Sequence, residues 1–234
     1  MRRLAGLVFF LTLIGILIQW QRINYISGHK NVWLSQFPIA SSGPFKGLLT
    51  GYWWVEAQNL QFEFKFEEVH ALTKKICYLQ PHNPKVWEYL SWNLSFNLMA
   101  ESMHDRAVQQ HWLLEGLEQL KKGLVYNPGE NLLEYAMGFT VFMKTQGDYD
   151  FSKELSEYLE SPALQFSKQK MIDSEIIEKG EYIMGLQAVN IFVAAGDFEL
   201  AIASCHHLVK RFPQHEKNMG KNIQFILSMI KERE

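Results

Sequence analysis

The chain has 234 residues, 47% of them hydrophobic, 21% charged and 14% aromatic, with a net charge of −2. That apolar content and length suit one or two packed domains and exclude a disordered, collagenous or disulfide-stapled chain. The charge is unevenly placed. No Asp or Glu precedes Glu56, whereas Arg2, Arg3, Arg22, Lys30 and Lys46 do, so residues 56–234 carry a net of −7. An acidic body has no general attraction for nucleic acid or for an anionic surface, and no nucleic-acid partner is expected.

The amino-terminal segment predicts a membrane anchor. Leu4 to Gln21 are uncharged over eighteen residues, about 27 Å as a helix against a hydrocarbon core of ~30 Å. Trp20, Tyr25 and Trp33 follow as interfacial aromatics. The end of the run, Ile16-Leu17-Ile18-Gln19-Trp20-Gln21, is too bulky for signal cleavage. Arg2, Arg3 and the amino terminus outweigh Arg22 and Lys30, which keeps the start of the chain cytoplasmic. The expectation is a single-pass membrane protein whose soluble domain lies on the exported, periplasmic or extracytoplasmic side. Residues 1–35 form the anchor and juxtamembrane segment. Residues 36–48, with two prolines and two glycines, read as a linker.

Beyond the linker, apolar residues recur at helical spacing and strand signals are nearly absent, which predicts an all-α fold. Three proline-containing turns, 80–84, 127–129 and 212–214, close helices. Five, eight and twelve positions before each first proline stand Ile76, Thr73 and Val69; Gly123, Leu120 and Gly116; Leu208, Cys205 and Ala201. Small or apolar residues dominate all three sets, as close helix packing requires. Trp87, Leu90 and Ser91 follow the first turn, Trp53 and Ala57 stand one unit earlier, and Gly138 and Val189 take the corresponding small position in later units. The turns Gly147-Asp148-Tyr149 and Gly196-Asp197-Phe198 separate the paired helices of those later units.

This pattern resembles the tetratricopeptide-repeat family, in its membrane-anchored bacterial type. The resemblance covers roughly residues 49–215 and implies an α-solenoid of about four helix hairpins. It departs from the 34-residue period between Pro81 and Pro128, where 47 residues require longer helices or a longer bend around residues 99–110. In the third unit Ser161-Pro162 breaks the second helix, leaving residues 161–172 irregular. Residues 216–234 supply a capping helix, with Met219, Ile223, Ile226, Leu227 and Ile230 on its apolar face.

Nothing in the chain spells out catalysis or a cofactor. HExxH, CxxC, GxSxG, GxxxxGK[ST] and GxGxxG are all missing. His206 and His207 point about 100° apart on a helix, and no metal site is expected. Cys77 and Cys205 fall in different hairpins, too distant for a disulfide, and read as buried thiols. Asn93-Leu94-Ser95 fits a glycosylation acceptor but lies mid-helix.

The resemblance implies instead a binding groove lined by first helices. Its positions here are Trp54, Gln58 and Gln61; Lys85, Glu88, Trp92 and Ser95; Tyr135, Phe139 and Phe142; Leu186 and Asn190. That surface is aromatic and mostly uncharged, suited to an apolar peptide or amphipathic helix. If the array curves tightly, the same rings pack on one another as core instead. The expected function is a membrane-tethered adaptor or scaffold, non-enzymatic, gathering a protein or peptide partner within a multi-protein complex. The alternative is a structural subunit whose transmembrane helix packs into a larger assembly.

Overall fold

A computed structural model describes residues 44–146 and 149–232. Residues 49–234 form one compact unit. The expected span at residues 4–21 lies outside the described residues. No described helix is long and apolar enough to cross a membrane.

The described chain is helical, with no strand among the described residues. In order come α1 (Pro44–Phe62), α2 (Phe66–Leu79) and α3, which runs Pro84–Trp92 and continues through a π-helical stretch, Asn93–Leu98, to a last turn, Met99–Glu101. Then follow α4 (Arg106–Tyr126), α5 (Asn131–Thr145), α6 (Tyr149–Leu159), α7 (Ala163–Asp173), the short α8 (Ile176–Lys179), α9 (Tyr182–Ala194) and α10 (Phe198–Arg211). A 3₁₀ turn, Pro213–His215, leads into α11 (Glu216–Lys231). Helix α1 starts at Pro44, inside the stretch read as linker.

Two turn types recur. Helices α1, α6 and α9 each end on a residue in the left-handed region: Phe64 (φ 58°), Glu160 (φ 52°) and Gly196 (φ 75°). In each, the next N–H reaches a carbonyl five residues back: Lys65 to Leu60 at 2.9 Å, Ser161 to Ser156 at 3.1 Å, Asp197 to Phe192 at 2.9 Å. These bonds satisfy carbonyls that a helix end leaves open.

The second type is the proline turn. A proline bars the residue before it from helical backbone, and Gln80, Asn127 and Phe212 accordingly share φ between −125° and −133° and ψ between 57° and 70°. Their N–H groups donate to Ile76, Gly123 and Leu208 at 2.8–2.9 Å. Their carbonyls accept from Asn83, Glu130 and His215 at 3.0–3.2 Å. The nine positions counted back from the prolines are all buried. At Gly123 an added Cβ would stand 2.8 Å from Trp87 Cβ and 3.0 Å from Leu133 Cδ1, so only glycine lets α4 approach both neighbouring helices.

The 47-residue interval is filled by helix length. Helix α3 spans 84–101 and α4 has 21 residues, joined by a short turn. The third unit differs from expectation: residues 163–173 are helical, and α7 rather than α6 is the main partner of α5. The preceding helix ends at Leu159, and Pro162 stands at the N-cap of α7, where its fixed φ suits helix entry. A Cβ on Gly138 would meet Lys170 Cβ at 2.7 Å and the Ser167 carbonyl at 3.0 Å, both on α7. Lys170 pairs with Glu134 on α5 at 2.7 Å, and Lys168 with Asp197 at the start of α10 at 2.7 Å.

Helix α6 is therefore an insertion within this hairpin. It buries Phe151 and Leu155 and is clipped to α4 by polar contacts. Arg106 lies 4.3 Å over the Phe151 ring and 3.6 Å from Glu154, and Tyr158 bonds both Glu118 and Lys121.

The carboxy-terminal half packs around Met171, Ile176, Val189, Phe192, Cys205, Leu208, Met219 and Ile226. Helix α11 covers α10 through Met219 and Ile226, with Ile223 and Ile230 partly buried. Leu227 is a correction: it is exposed, because its neighbour Ile226 takes the inward position.

The glycines yield a paired prediction, read by urea or thermal unfolding. Gly138→Ala overpacks the α5–α7 contact and destabilises by about 1–3 kcal/mol. Gly51→Ala, on a helix where nothing lies within 4 Å of the new methyl, stabilises by about 0.5–1 kcal/mol.

Candidate functional site

Helix α3 presents Lys85, Glu88, Tyr89, Trp92 and Phe96 away from a buried side made of Val86, Trp87, Leu90, Ser91, Leu94 and Ser95. The periodicity of α3 alone does not place that last pair correctly. In the π-helical stretch the Met99 N–H reaches Leu94, five residues back, and the wider turn keeps Phe96 rather than Ser95 in line with Trp92. The rings of Trp92 and Phe96 stack with centroids 4.1 Å apart. Ser95 is fully buried against Gly116 of α4, a correction to its expected place on the groove. Asn93 is buried too, donating its amide to the Phe66 carbonyl at 3.0 Å, which leaves no room for a glycan.

Neighbouring helices complete the face. From α1, Trp54 meets the Tyr89 ring edge-on at 5.2 Å, and the Tyr89 hydroxyl donates to Gln61 Oε1 at 2.6 Å. From α5, Lys144 Nζ lies 4.1 Å over the Phe96 ring. Glu88 lies near enough to Tyr135 of α5 for its charge to act there. Tyr135 stacks on Phe139 at 5.7 Å and donates its hydroxyl to Gln187 of α9. The pairs Glu88–Tyr135 and Phe96–Lys144 advance together along both helices, so α3 and α5 run parallel on this face, offset by the interval between their prolines.

The expected groove residues thus divide. Trp54, Gln61, Glu88 and Trp92 share one aromatic surface, joined by Tyr89, Phe96 and Lys144, which sequence reasoning missed. Tyr135, by contrast, is only 7% exposed and belongs to the core, and Phe139, Phe142 and Leu186 are partly buried against that same core. This part of the expected groove is packed, because the Tyr135 ring joins the core and its hydroxyl is taken up by Gln187 of α9. Gln58, Lys85 and Asn190 are exposed and stand outside the ring cluster.

Trp92 is distinctive. At 45% exposure it is the most exposed tryptophan among the described residues. A ring of that size left in water beside a second aromatic is a feature of protein contact surfaces.

Elsewhere the chemistry is quiet. Among the described residues no group of three or more His, Cys, Asp or Glu is placed to hold a metal ion. Both cysteines are free and buried. Burial pushes the Cys77 thiol up to about 12 and the Cys205 thiol up to about 11, so both stay protonated at neutral pH. His70 stands edge-on to Trp112 with its buried Nδ1 unpartnered among the described residues; burial, aided by Lys74, holds its pKa below the usual imidazole value.

Burial pushes the Glu88 carboxyl up, opposed by Lys85. The folded state then holds that proton more tightly than the unfolded chain does. Ionised Glu88 consequently opposes folding above its folded pKa, and the penalty fades as pH falls through that value. Glu88→Gln is expected to raise the melting temperature at pH 7.5, with the gain vanishing by about pH 4. Equal gains at both pH values would contradict the assignment.

No protein-family model, no curated protein and no solved structure matches this chain.

Proposed function

We propose that the chain is a membrane-tethered, tetratricopeptide-like helical-repeat adaptor that docks a protein or peptide partner on the aromatic face of α1, α3 and α5. Exposed Trp92, stacked on Phe96, carries this reading: the fold buries the other rings of the row to differing degrees and leaves this one in water. The repeat reading is supported by the three proline turns of shared backbone geometry, the nine buried positions counted back from them, and the parallel course of α3 and α5. The tether rests on the uncharged run from Leu4 to Gln21. An adaptor needs a rigid surface and a location, and no reactive group.

Membranes holding the full-length chain, cross-linked and then solubilised, test the reading. Trp92→Ala removes a buried-on-binding anchor worth about 2 kcal/mol, roughly a 30-fold loss of affinity. The variant is expected to lose its cross-linked partner while far-UV helicity is kept and the melting temperature moves by only a few degrees. Unfolding of Trp92→Ala would return the residue to the core and contradict the reading. Exchange of residues 1–30 for an unrelated span is expected to leave the partner bound. Its loss would favour a subunit that packs through its own transmembrane helix.

A further inference from the structure

The aromatic face carries two charges that the described residues do not neutralise. Glu88 is half-buried beside Tyr135, with no ion pair or hydrogen bond from its carboxylate among the described residues, and the nearest cation, Lys85, is exposed one turn earlier on the same helix. Lys144 is half-buried with its ammonium over the Phe96 ring, and no described carboxylate pairs with it. Burial pushes the Glu88 carboxyl up and the Lys144 ammonium down, each towards its neutral form. A half-buried charge without a partner is unfavourable, and one from a docked molecule relieves it.

Spacing and backbone chemistry narrow that molecule. Glu88 and Phe96, beneath Lys144, are eight residues apart on α3, about 12 Å along its axis. Trp92 lies between them. The surface is built of helices, whose backbone groups are already bonded within themselves, so it has no strand edge to pair with an extended peptide. A docking segment must satisfy its own backbone, which a helix does. Residues seven or eight apart on a helix share a face about 11–12 Å apart, matching the interval.

Resting on the docking reading above, we propose that the partner segment is an amphipathic helix bearing one basic and one acidic side chain about two turns apart. The basic group meets Glu88, the acidic group meets Lys144, and the apolar residues between them cover Trp92 and Phe96. The opposed charges also set the direction of the docked helix, which an apolar surface alone leaves open.

The test uses the full-length chain in detergent and four stapled helical peptides. All share one leucine face; the two positions seven residues apart carry Lys and Glu, Gln and Gln, Lys and Lys, or Glu and Glu. Binding is followed by calorimetry. The Lys/Glu peptide is expected to bind at least ~10-fold more tightly than the Gln/Gln peptide, and more tightly than either like-charged peptide. E88Q and K144Q are each expected to bring the Lys/Glu peptide towards the Gln/Gln level. Equal affinity of the Lys/Glu and Gln/Gln peptides, with both weakened by Trp92→Ala, overturns the charge pairing and leaves the docking face standing. Failure of all four peptides to bind, or binding indifferent to Trp92→Ala, overturns the docking face and the pairing with it.

Discussion

The carbonyl of Pro81 accepts two hydrogen bonds, one from the Trp87 indole at 2.8 Å and one from the Asn127 side-chain amide at 2.9 Å. The first ties the turn to the helix that follows it, and the second ties it to the next proline turn, 47 residues on. Around this junction Trp87 stacks on Tyr126 at 5.6 Å, and His82 bonds the Tyr126 carbonyl at 2.9 Å. The residue before each proline has its carbonyl bonded within the turn, whereas the Pro81 carbonyl, one residue on, finds its donors in neighbouring elements. A neighbouring hairpin that supplies such a donor is fixed in register by doing so. The third turn is anchored by other means: Tyr182 stacks on His215 at 3.8 Å, and the Arg211 guanidinium donates to Ile177 and Gly180 at 2.6 and 2.8 Å.

Register at the turns decides what lies on the helix faces. Because α3 and α5 start from turns of the same geometry, their residues pair at nearly the same offset as their prolines, and rings on successive helices fall side by side. The π-helical stretch then adjusts α3 locally, holding Phe96 beneath Lys144 while Ser95 turns inward. The hydroxyls of Ser91 and Ser95 are buried there without partners among the described residues, a cost of about 1–3 kcal/mol each. The fold tolerates that cost where the helix must bend its side-chain rows, which places the irregularity directly behind the aromatic face.

Much of this architecture was legible in the residues, and the limits of legibility have physical causes. A proline fixes a helix end, so positions counted back from Pro81, Pro128 and Pro213 fall on known faces, and all nine are core. Gly138 was recognisable as a close-contact residue, but not its partner: α7 has little apolar periodicity of its own, so the segment read as irregular, and only its packing on α5 reveals the helix. Pro162 was read only as a stop, because the same residue that ends one helix also suits the start of the next. Ser95 was misplaced because a π turn changes the spacing that puts residues on one face, and a single sequence gives no sign of it. Tyr135 was read as surface because a tyrosine looks the same whether its hydroxyl is bonded to water or to Gln187. Lys144 was missed for a simpler reason: it reaches Phe96 from another helix, 48 residues further along the chain.

The most direct measurement of the coupling between hairpins is native-state hydrogen exchange at the Trp87 indole, followed by NMR with the backbone amides of α10 as reference. If the Pro81 carbonyl joins successive hairpins into one cooperative body, the indole proton exchanges only through global unfolding, with the same free energy as the amides of Ala201 and Cys205. Exchange of the indole at a free energy lower by more than about 2 kcal/mol, independent of those amides, would show hairpins that open one by one and would contradict the account.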